Sequence, residues 1–435
     1  MAVVGNIAKI PELRNRVVFT LLMLGIYRLG VYVPAPGVDT KALENILKQG
    51  TVFDIFNLFS GGALENFSVF ALGIMPYISA SIILQLLTIA VPAIEQLKKE
   101  GEAGHRKITQ YTRYGTLVLS MVQGFGISYG LAQQGVLLPG VGGLGFYLLS
   151  MLTLATGTAF LMWLGEQITE RGIGNGISMI IFAGIVARVP ASFRAAWAER
   201  GQYGELLGFI LLLGLIFAII GAIVYFERSF RRIPVQYAKR VVGRKLYGGQ
   251  ESHLPLKINM AGVIPPIFAQ SLILFPSTIA QFAGGGWMQE LAQQLNAGWI
   301  HHSLYAVMIV FFTFFYTAVA FNPVDVAENI QKHGGYIPGI RPGKATSDYL
   351  DRILSRITVG GALYITLVCL LPQILTTWMK VPPGIAFTFG GTSLLIMVGV
   401  AMDTVSQMEA HLLSHHYEGV LGQKGGATRF RGRRG

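Results

Sequence analysis

Long apolar stretches alternate with shorter polar segments along the whole chain. Each stretch is long enough to cross a bilayer as a helix of roughly twenty residues, and charged residues are concentrated between the stretches. The pattern therefore predicts an all-α polytopic membrane protein with ten transmembrane helices. The predicted spans are 17–33, 70–92, 114–138, 146–164, 177–193, 206–226, 261–283, 300–321, 357–379 and 385–406.

Composition and charge agree with this pattern and orient it. Hydrophobic residues make up 52% of the chain and charged residues 13%, as in polytopic membrane proteins. The fifth stretch is the weakest because its apolar run ends at Arg188. If the fifth stretch is a span and the N-terminus is inside, most Lys and Arg residues lie on the inner side. If it is not a span, the orientation of the second half is inverted and most of these residues lie outside. The positive-inside rule thus favours ten spans, both termini in the cytoplasm, and contact of the basic face with anionic lipids.

The spans fall into two halves. Residues 1–187 contain helices 1–5 and residues 206–421 contain helices 6–10, with an outer hinge loop at 188–205. Halves of opposite topology predict an inverted repeat. Two long inner loops, 227–257 and 322–356, are predicted to form ordered cytosolic platforms, the first as a twisted hairpin with its turn near Gly243. The tail, 422–435, is basic and Gly-rich and is predicted to be flexible.

The stretch from Leu58 to Leu87 cannot cross the membrane as one plain helix. Gly61-Gly62, Gly73 and Pro76 interrupt it. Irregular backbone at membrane depth must be surrounded by protein or by a water-filled cavity. This broken span therefore indicates the lining of an interior pathway.

Enzyme and cofactor signatures are absent from the sequence. The chain has no H-E-x-x-H and no G-x-S-x-G motif, and Gly343-Lys344 lacks both the first Gly and the Ser/Thr of a phosphate loop. A Gly-x-Gly-x-x-Gly run at 140–145 lies in a charge-free outer loop with no strand before it. Cys369 is the only cysteine, which excludes intrachain disulfides and thiolate clusters. We expect neither an enzyme nor a bound metal or cofactor.

Few ionisable residues lie within the spans, namely Arg28, Asp403, and the pair His301 and His302. None of them forms a mid-membrane relay by position, which disfavours an ion-coupled transporter for a small solute. Arg28 is expected to be paired or to snorkel. An intramembrane enzyme is the third alternative, and paired catalytic residues are missing from the spans.

Isoleucines recur beside the helix-breaking residues. Ile74 and Ile78 share one helical face, as do Ile177 and Ile181. Ile267 follows Pro265-Pro266, and Ile396 lies midway along the tenth span. An aliphatic constriction can close a pore by excluding water. Isoleucine in membrane helices also serves lipid contact and packing, so spacing alone leaves both interpretations open.

Several motifs together resemble one known family. LFSGGALENFSVFALGIMPYISASI, TERGIGNGIS, YAKR, KINMAGVIPPIF, PGIRPG and FGGTSLLI, in this order along nearly the whole chain, are similar to the SecY family of protein-translocation channels. The resemblance implies an hourglass pore between two five-helix halves. Its pore ring would be Ile74, Ile78, Ile177, Ile181, Ile267 and Ile396. Its plug, a half-helix on the outer side of the ring, would comprise Phe59, Ser60, Gly61, Gly62, Ala63, Leu64, Glu65, Asn66 and Phe67.

The resemblance also implies partners and moving parts. A lateral gate would lie between spans two and three on one side and spans seven and eight on the other, with Ser79 facing Phe275. Arg240, Arg244 and Arg341 on the platforms would bind the motor ATPase SecA or a translating ribosome. SecE and SecG would be the small membrane partners. The implied function is to conduct unfolded secretory proteins across the bacterial inner membrane and to release hydrophobic segments into lipid.

Overall fold

The computed structural model describes residues 10–40, 42–43, 57, 60–138, 142–198, 201, 205–237, 240–242, 245–247, 251–283, 298–378, 381 and 383–424. Within these ranges the chain is mostly helical. The helices are α1 Pro11–Gly30, α2 Met75–Ala90, α3 Pro92–Lys99, α4 Glu102–Gln133, α5 Leu144–Arg171, α6 Gly176–Ala198, α7 Glu205–Glu227, α8 Ile264–Ala283, α9 Gly298–Ala320, α10 Pro323–Lys332, α11 Lys344–Trp378, α12 Pro383–Thr388 and α13 Gly391–Lys424.

Every predicted span overlaps a helix. In the described ranges, seven helices are long and apolar enough to cross a membrane, and α2 with α3 would supply an eighth if that bent pair is one span. The pair bends by 98° where Val91 adopts an extended conformation before Pro92, as expected for a residue that precedes proline. A polytopic helical membrane protein is therefore confirmed. The first and seventh predicted spans correspond to α1 and α8.

One predicted boundary is wrong. The outer hinge loop was placed at 188–205, but α6 continues through Arg188 and Pro190 to Ala198. The charge of Arg188 ends the apolar run without ending the helix, because its guanidinium is paired with Glu65 at 3.2 Å. Packing thus supports a longer helix than hydropathy alone predicts.

The longer helices of the described residues pack as two contact groups. In the first group α1 contacts α5 and α6, α2 contacts α4, and α5 contacts both α4 and α6. In the second group α9 contacts α8 and α11, while α13 contacts α7 and α11. The groups meet along two seams. At the first seam α8 lies against α2 and α4, and at the second α6 lies against α12 and α13.

The two inner loops form one folded unit. The strands are β1 Phe230–Tyr237, β2 Arg240–Val242, β3 Lys245–Tyr247, β4 Glu251–Lys257 and β5 Gly335–Tyr336. β1 pairs antiparallel with β4, and β2 pairs with β3 across residues 243–244, so the predicted hairpin is confirmed. β5, from the second loop, pairs with the other edge of β1. A small core, which includes Ile233, Leu256 and Leu350, holds the sheet against α10 and α11.

Candidate functional site

The predicted plug lies buried on the N-terminal half. Phe59 lies outside the described residues. Residues 60–67, which we call the plug segment, form consecutive turns and not the expected half-helix. Gly61, Gly62 and Phe67 adopt φ values of 67°, 89° and 40°, and such left-handed backbone cannot continue a right-handed helix. The plug segment is nevertheless well packed, since Ala63 and Phe67 have no exposed surface.

Gly61 is required by a close backbone approach as well as by its φ. A Cβ atom at Gly61 would lie 2.7 Å from the Cα atom of Gly184 in α6. A Cβ atom at Gly184 would in turn lie 3.2 Å from the Cα atom of Gly61. Two glycines thus let the plug segment rest directly on the backbone of α6.

Polar side chains from α1 meet the backbone of the plug segment. The Tyr27 hydroxyl donates a hydrogen bond to the carbonyl oxygen of Ser60 at 3.0 Å. Nη1 of Arg28 donates to the carbonyl oxygen of Gly61 at 2.7 Å. Irregular backbone carbonyls must find such partners where water is scarce. Arg28 is therefore paired, as the sequence predicted.

The carboxylate of the plug segment is also paired. Oε1 of Glu65 accepts from Nδ2 of Asn57 at 2.5 Å and from Nη2 of Arg188 at 3.2 Å. Asn57 is buried, whereas the Glu65 and Arg188 side chains are 44% and 26% exposed. The ion pair is therefore partly hydrated, and it lies where α6 meets the plug segment.

Residues 67–69 are anchored differently. The Ala35 amide donates to the carbonyl oxygen of Phe67 at 2.7 Å, and the Val69 amide donates to that of Val33 at 3.0 Å. Phe70 stacks on Tyr27 and Phe160, with ring centroids 6.3 Å and 5.8 Å apart. Main-chain pairing thus fixes the C-terminal end of the plug segment to the end of α1.

Five of the six predicted ring isoleucines are buried in one hydrophobic cluster. Its members from the predicted ring are Ile74, Ile78, Ile181, Ile267 and Ile396. Ile177 is only partly buried and packs on the edge of this cluster, with its Cδ1 atom against Gly165 of α5. The six residues come from the start of α2 and from α6, α8 and α13. These helices form the two seams, and the cluster, which is the largest hydrophobic core of the described residues, includes side chains from both groups of helices.

Three of the four helices of the predicted lateral gate, α2, α4 and α8, contact one another. α8 packs against α2 and α4, and Ile273 of α8 is buried in the same hydrophobic cluster as the five isoleucines. Ser79 is half-buried on α2. The Phe275 side chain lies outside the described residues, so the contact between Ser79 and Phe275 stays a prediction.

The predicted docking arginines lie on the platform. Arg341 is exposed in the segment between β5 and α11, and its carbonyl oxygen accepts from the Thr346 hydroxyl at 2.9 Å. Arg240 begins β2, and its side chain lies outside the described residues, as does the whole of Arg244. The pairing of β5 with β1 joins the loops that carry these residues.

Sequence reasoning missed the contacts made by Tyr27, Gly184 and Arg188. Only Arg188 gave a signal, since it interrupts the apolar run of the fifth predicted span. Its partner Glu65 is 123 positions away, and no local pattern connects the two.

Comparison with known proteins agrees with this architecture. A family model described as SecY matches residues 68–405. The chain is 52% identical over 421 residues to the protein translocase subunit SecY of Pseudomonas aeruginosa, covering 95% of this chain and 94% of that protein. Two solved structures share its fold at 19% identity, each covering 94% of this chain and 97% of the other: a protein-conducting channel with a TM-score of 0.68, and a SecY channel studied for its plug domain with a TM-score of 0.63. The chain belongs to the SecY family.

Proposed function

We propose that this protein is the pore-forming subunit of a protein translocase in the bacterial inner membrane. It conducts unfolded polypeptides across the membrane and releases hydrophobic segments sideways into lipid. The observation that carries this proposal is that five of the six isoleucines are buried in the hydrophobic core, on helices that belong to both groups. A client chain has arbitrary sequence, and flexible aliphatic side chains yield to it without specific hydrogen bonds.

The six isoleucines of the predicted pore ring, which we call the waist, and the plug segment have complementary roles in this proposal. Ile74, Ile78, Ile177, Ile181, Ile267 and Ile396 close around the pathway and exclude water when it is idle. The plug segment, supplied by the broken second span, covers them from the outer side. A client displaces it, and the waist then seals around the client. The pathway therefore conducts polypeptide while it restricts ions.

The lateral gate lies at the first seam, where α8 meets α2 and α4. Separation of these helices exposes a client segment to lipid, and each strongly apolar residue favours lipid by about 0.3–0.6 kcal/mol. A hydrophobic segment leaves through the gate, while a polar one continues through the pore. The second seam stays closed and acts as the hinge.

Energy comes from partners, and the protein itself is not an enzyme. The joined platform presents Arg341 and, by sequence position, Arg240 and Arg244 to the cytosol. Arginine pairs in a bidentate manner with carboxylates of a motor such as SecA or with phosphates of ribosomal RNA. SecE and SecG are the membrane partners, and both termini of this chain are cytoplasmic.

The direct test is reconstitution of the chain with SecE, SecG and SecA in lipid vesicles. We expect ATP-dependent uptake of an unfolded secretory protein into a protease-protected space. Vesicles that lack this chain are the control. Transport of a small solute without any polypeptide uptake would contradict the proposal and favour a secondary transporter.

A further inference from the structure

We propose that side chains of α1 and α6 form a polar latch that sets how readily the plug segment is released, independently of the lateral gate. The latch consists of Tyr27 and Arg28 on α1 and Arg188 on α6. The inference rests on the proposed role of the plug segment and adds the residues that control it.

The first contact is made by α1. Tyr27 and Arg28 bind two consecutive backbone carbonyls, those of Ser60 and Gly61, at 3.0 Å and 2.7 Å. A hydrogen bond to a charged group shifts an equilibrium by about ten- to a hundredfold. Arg28 also contacts Tyr32, whose hydroxyl lies 3.3 Å from Nη2 and whose ring centroid lies 5.5 Å from the Arg28 Cζ atom. When the plug segment leaves, the Arg28 guanidinium keeps its contacts with Tyr32. Release therefore does not leave a buried charge without a partner.

The second contact is made by α6. Arg188 reaches Glu65 at 3.2 Å, while Asn57 holds the same carboxylate oxygen at 2.5 Å. Because this pair is partly hydrated, we expect it to contribute a factor of about two to five to the closed population. It is the weaker of the two contacts and is the one that charge substitutions can tune.

The latch is separate from the gate. Its residues lie on α1 and α6, whereas the predicted gate lies between α2 and α4 on one side and α8 and α9 on the other. Backbone pairing of residues 67–69 with residues 33–35 holds the chain before α2 in place. Residues before Phe67 can therefore leave their seat while α2 stays packed against α8. Latch variants should open the idle pore without opening the gate.

A charge swap tests the latch. The variants are Glu65→Arg, Arg188→Glu, the double variant that carries both substitutions, and Arg28→Gln. Each is purified and reconstituted with SecE and SecG in vesicles. The measured quantity is the ion leak in the absence of a client protein. We expect each single reversal to raise the leak about two- to fivefold or more, and the double variant to return most of the way to wild type. Arg28→Gln should raise it further, by about tenfold. The control is Arg194→Glu on the same helix, since Arg194 donates only to the Pro190 carbonyl oxygen within α6 among the contacts of the described residues.

The outcomes separate this proposal from the proposed function. Deletion of residues 57–66 should itself raise the leak, and if it does not, the assignment of the plug is wrong. If the deletion raises the leak, but the increase in the double variant equals the sum of the increases in the two single variants, the proposed latch is wrong. The assignment of the plug is then still supported. The swap decides the question even if Arg28→Gln does not assemble. Oxidation of Ser79→Cys paired with Phe275→Cys should reach the same yield with or without Glu65→Arg, and a lower yield would overturn the separation of latch and gate.

Discussion

At the scale of single residues, the buried isoleucines combine two properties that a resealing waist requires. Ile396 is 1% exposed and Ile74 is 4% exposed, so water has little access to either side chain in this structure. Their side chains carry no polar atom that would retain water in the pore. A substitution that adds a hydrogen-bonding group should therefore act on the closed state more than on the fold.

Replacement of Ile74 or Ile396 with Asn should increase the idle ion conductance of the reconstituted channel. Burial of an unpaired polar group costs about 1–3 kcal/mol, so the dry state should become about tenfold less favourable. Single-channel recording in planar bilayers measures the effect. The matched control is Ile83→Asn, because Ile83 lies on α2 with a side chain 44% exposed. Equal conductance in all three variants would contradict the ring.

The sequence could predict these isoleucines but not the contacts of the plug segment. Spacing of four residues places Ile74 with Ile78 and Ile177 with Ile181 on common helical faces, which is local information. The pairing of Arg188 with Glu65 depends on how α6 is placed against the broken span. The turn at Gly61 depends likewise on close contact with Gly184, and residues 60–67 form turns where the sequence predicted a half-helix.

At the scale of elements, each seam combines apolar and polar groups. α8 contacts α2 and α4, and its buried side chains include both Ile273 and Gln270. At the other seam, the Ser192 hydroxyl of α6 donates a hydrogen bond to the Thr388 hydroxyl of α12 at 3.0 Å. Apolar contacts between membrane helices are readily exchanged for lipid contacts. Opening of the first seam stays a prediction that follows from the family resemblance.

Crosslinking of Ser79→Cys to Phe275→Cys should stop export by locking the first seam. The matched control is Ser192→Cys with Thr388→Cys, which joins the halves at the second seam and should leave export close to that of the reduced protein. ATP-dependent uptake of a secretory protein, measured before and after reduction, distinguishes the two. Normal uptake with the first crosslink complete would remove the gate from this seam.

The platform is an element that hydropathy could not assemble. The alternation of residues 235–246 predicted the hairpin, but nothing local indicates that β5 pairs with β1, since Tyr336 and Gln236 are far apart in sequence. Their side chains also meet, with the Tyr336 hydroxyl 3.1 Å from Oε1 of Gln236. A partner that binds one loop therefore also engages the other.

Charge reversal on the platform should uncouple the motor from the channel. Arg341→Glu and Arg240→Glu are each expected to lower the stimulation of SecA ATPase activity severalfold, because a carboxylate repels the acidic groups that arginine binds. Arg106→Glu is the control, since Arg106 is exposed at the start of α4, outside the platform. Wild-type stimulation by both platform variants would refute the docking role.

At the scale of the whole molecule, helix contacts separate the long helices into two groups. The positive-inside rule required a fifth span that hydropathy alone supported weakly, and α6 is indeed a long helix that joins the first half to the second at a seam. The sequence therefore predicted where the apolar helices lie along the chain, because each span is a local property, while the count of ten spans stays a prediction. It could not predict which helices face one another, since apolar side chains suit lipid and protein equally.

The charge distribution predicts an orientation of the molecule, which cysteine labelling of single-substitution variants can test. Cys369 is buried, so a membrane-impermeant maleimide should label the wild-type protein poorly. We expect Gly142→Cys, in the exposed segment before α5, to be labelled in cells whose outer membrane alone has been permeabilised. Glu102→Cys, at the start of α4 with a side chain 95% exposed, should be labelled only after the inner membrane is opened. Labelling of both positions from the same side would contradict the single span predicted between them. If Glu102→Cys were labelled from outside and Gly142→Cys only from inside, the orientation of the whole molecule would be inverted, and the platform would lie on the side away from any cytosolic motor.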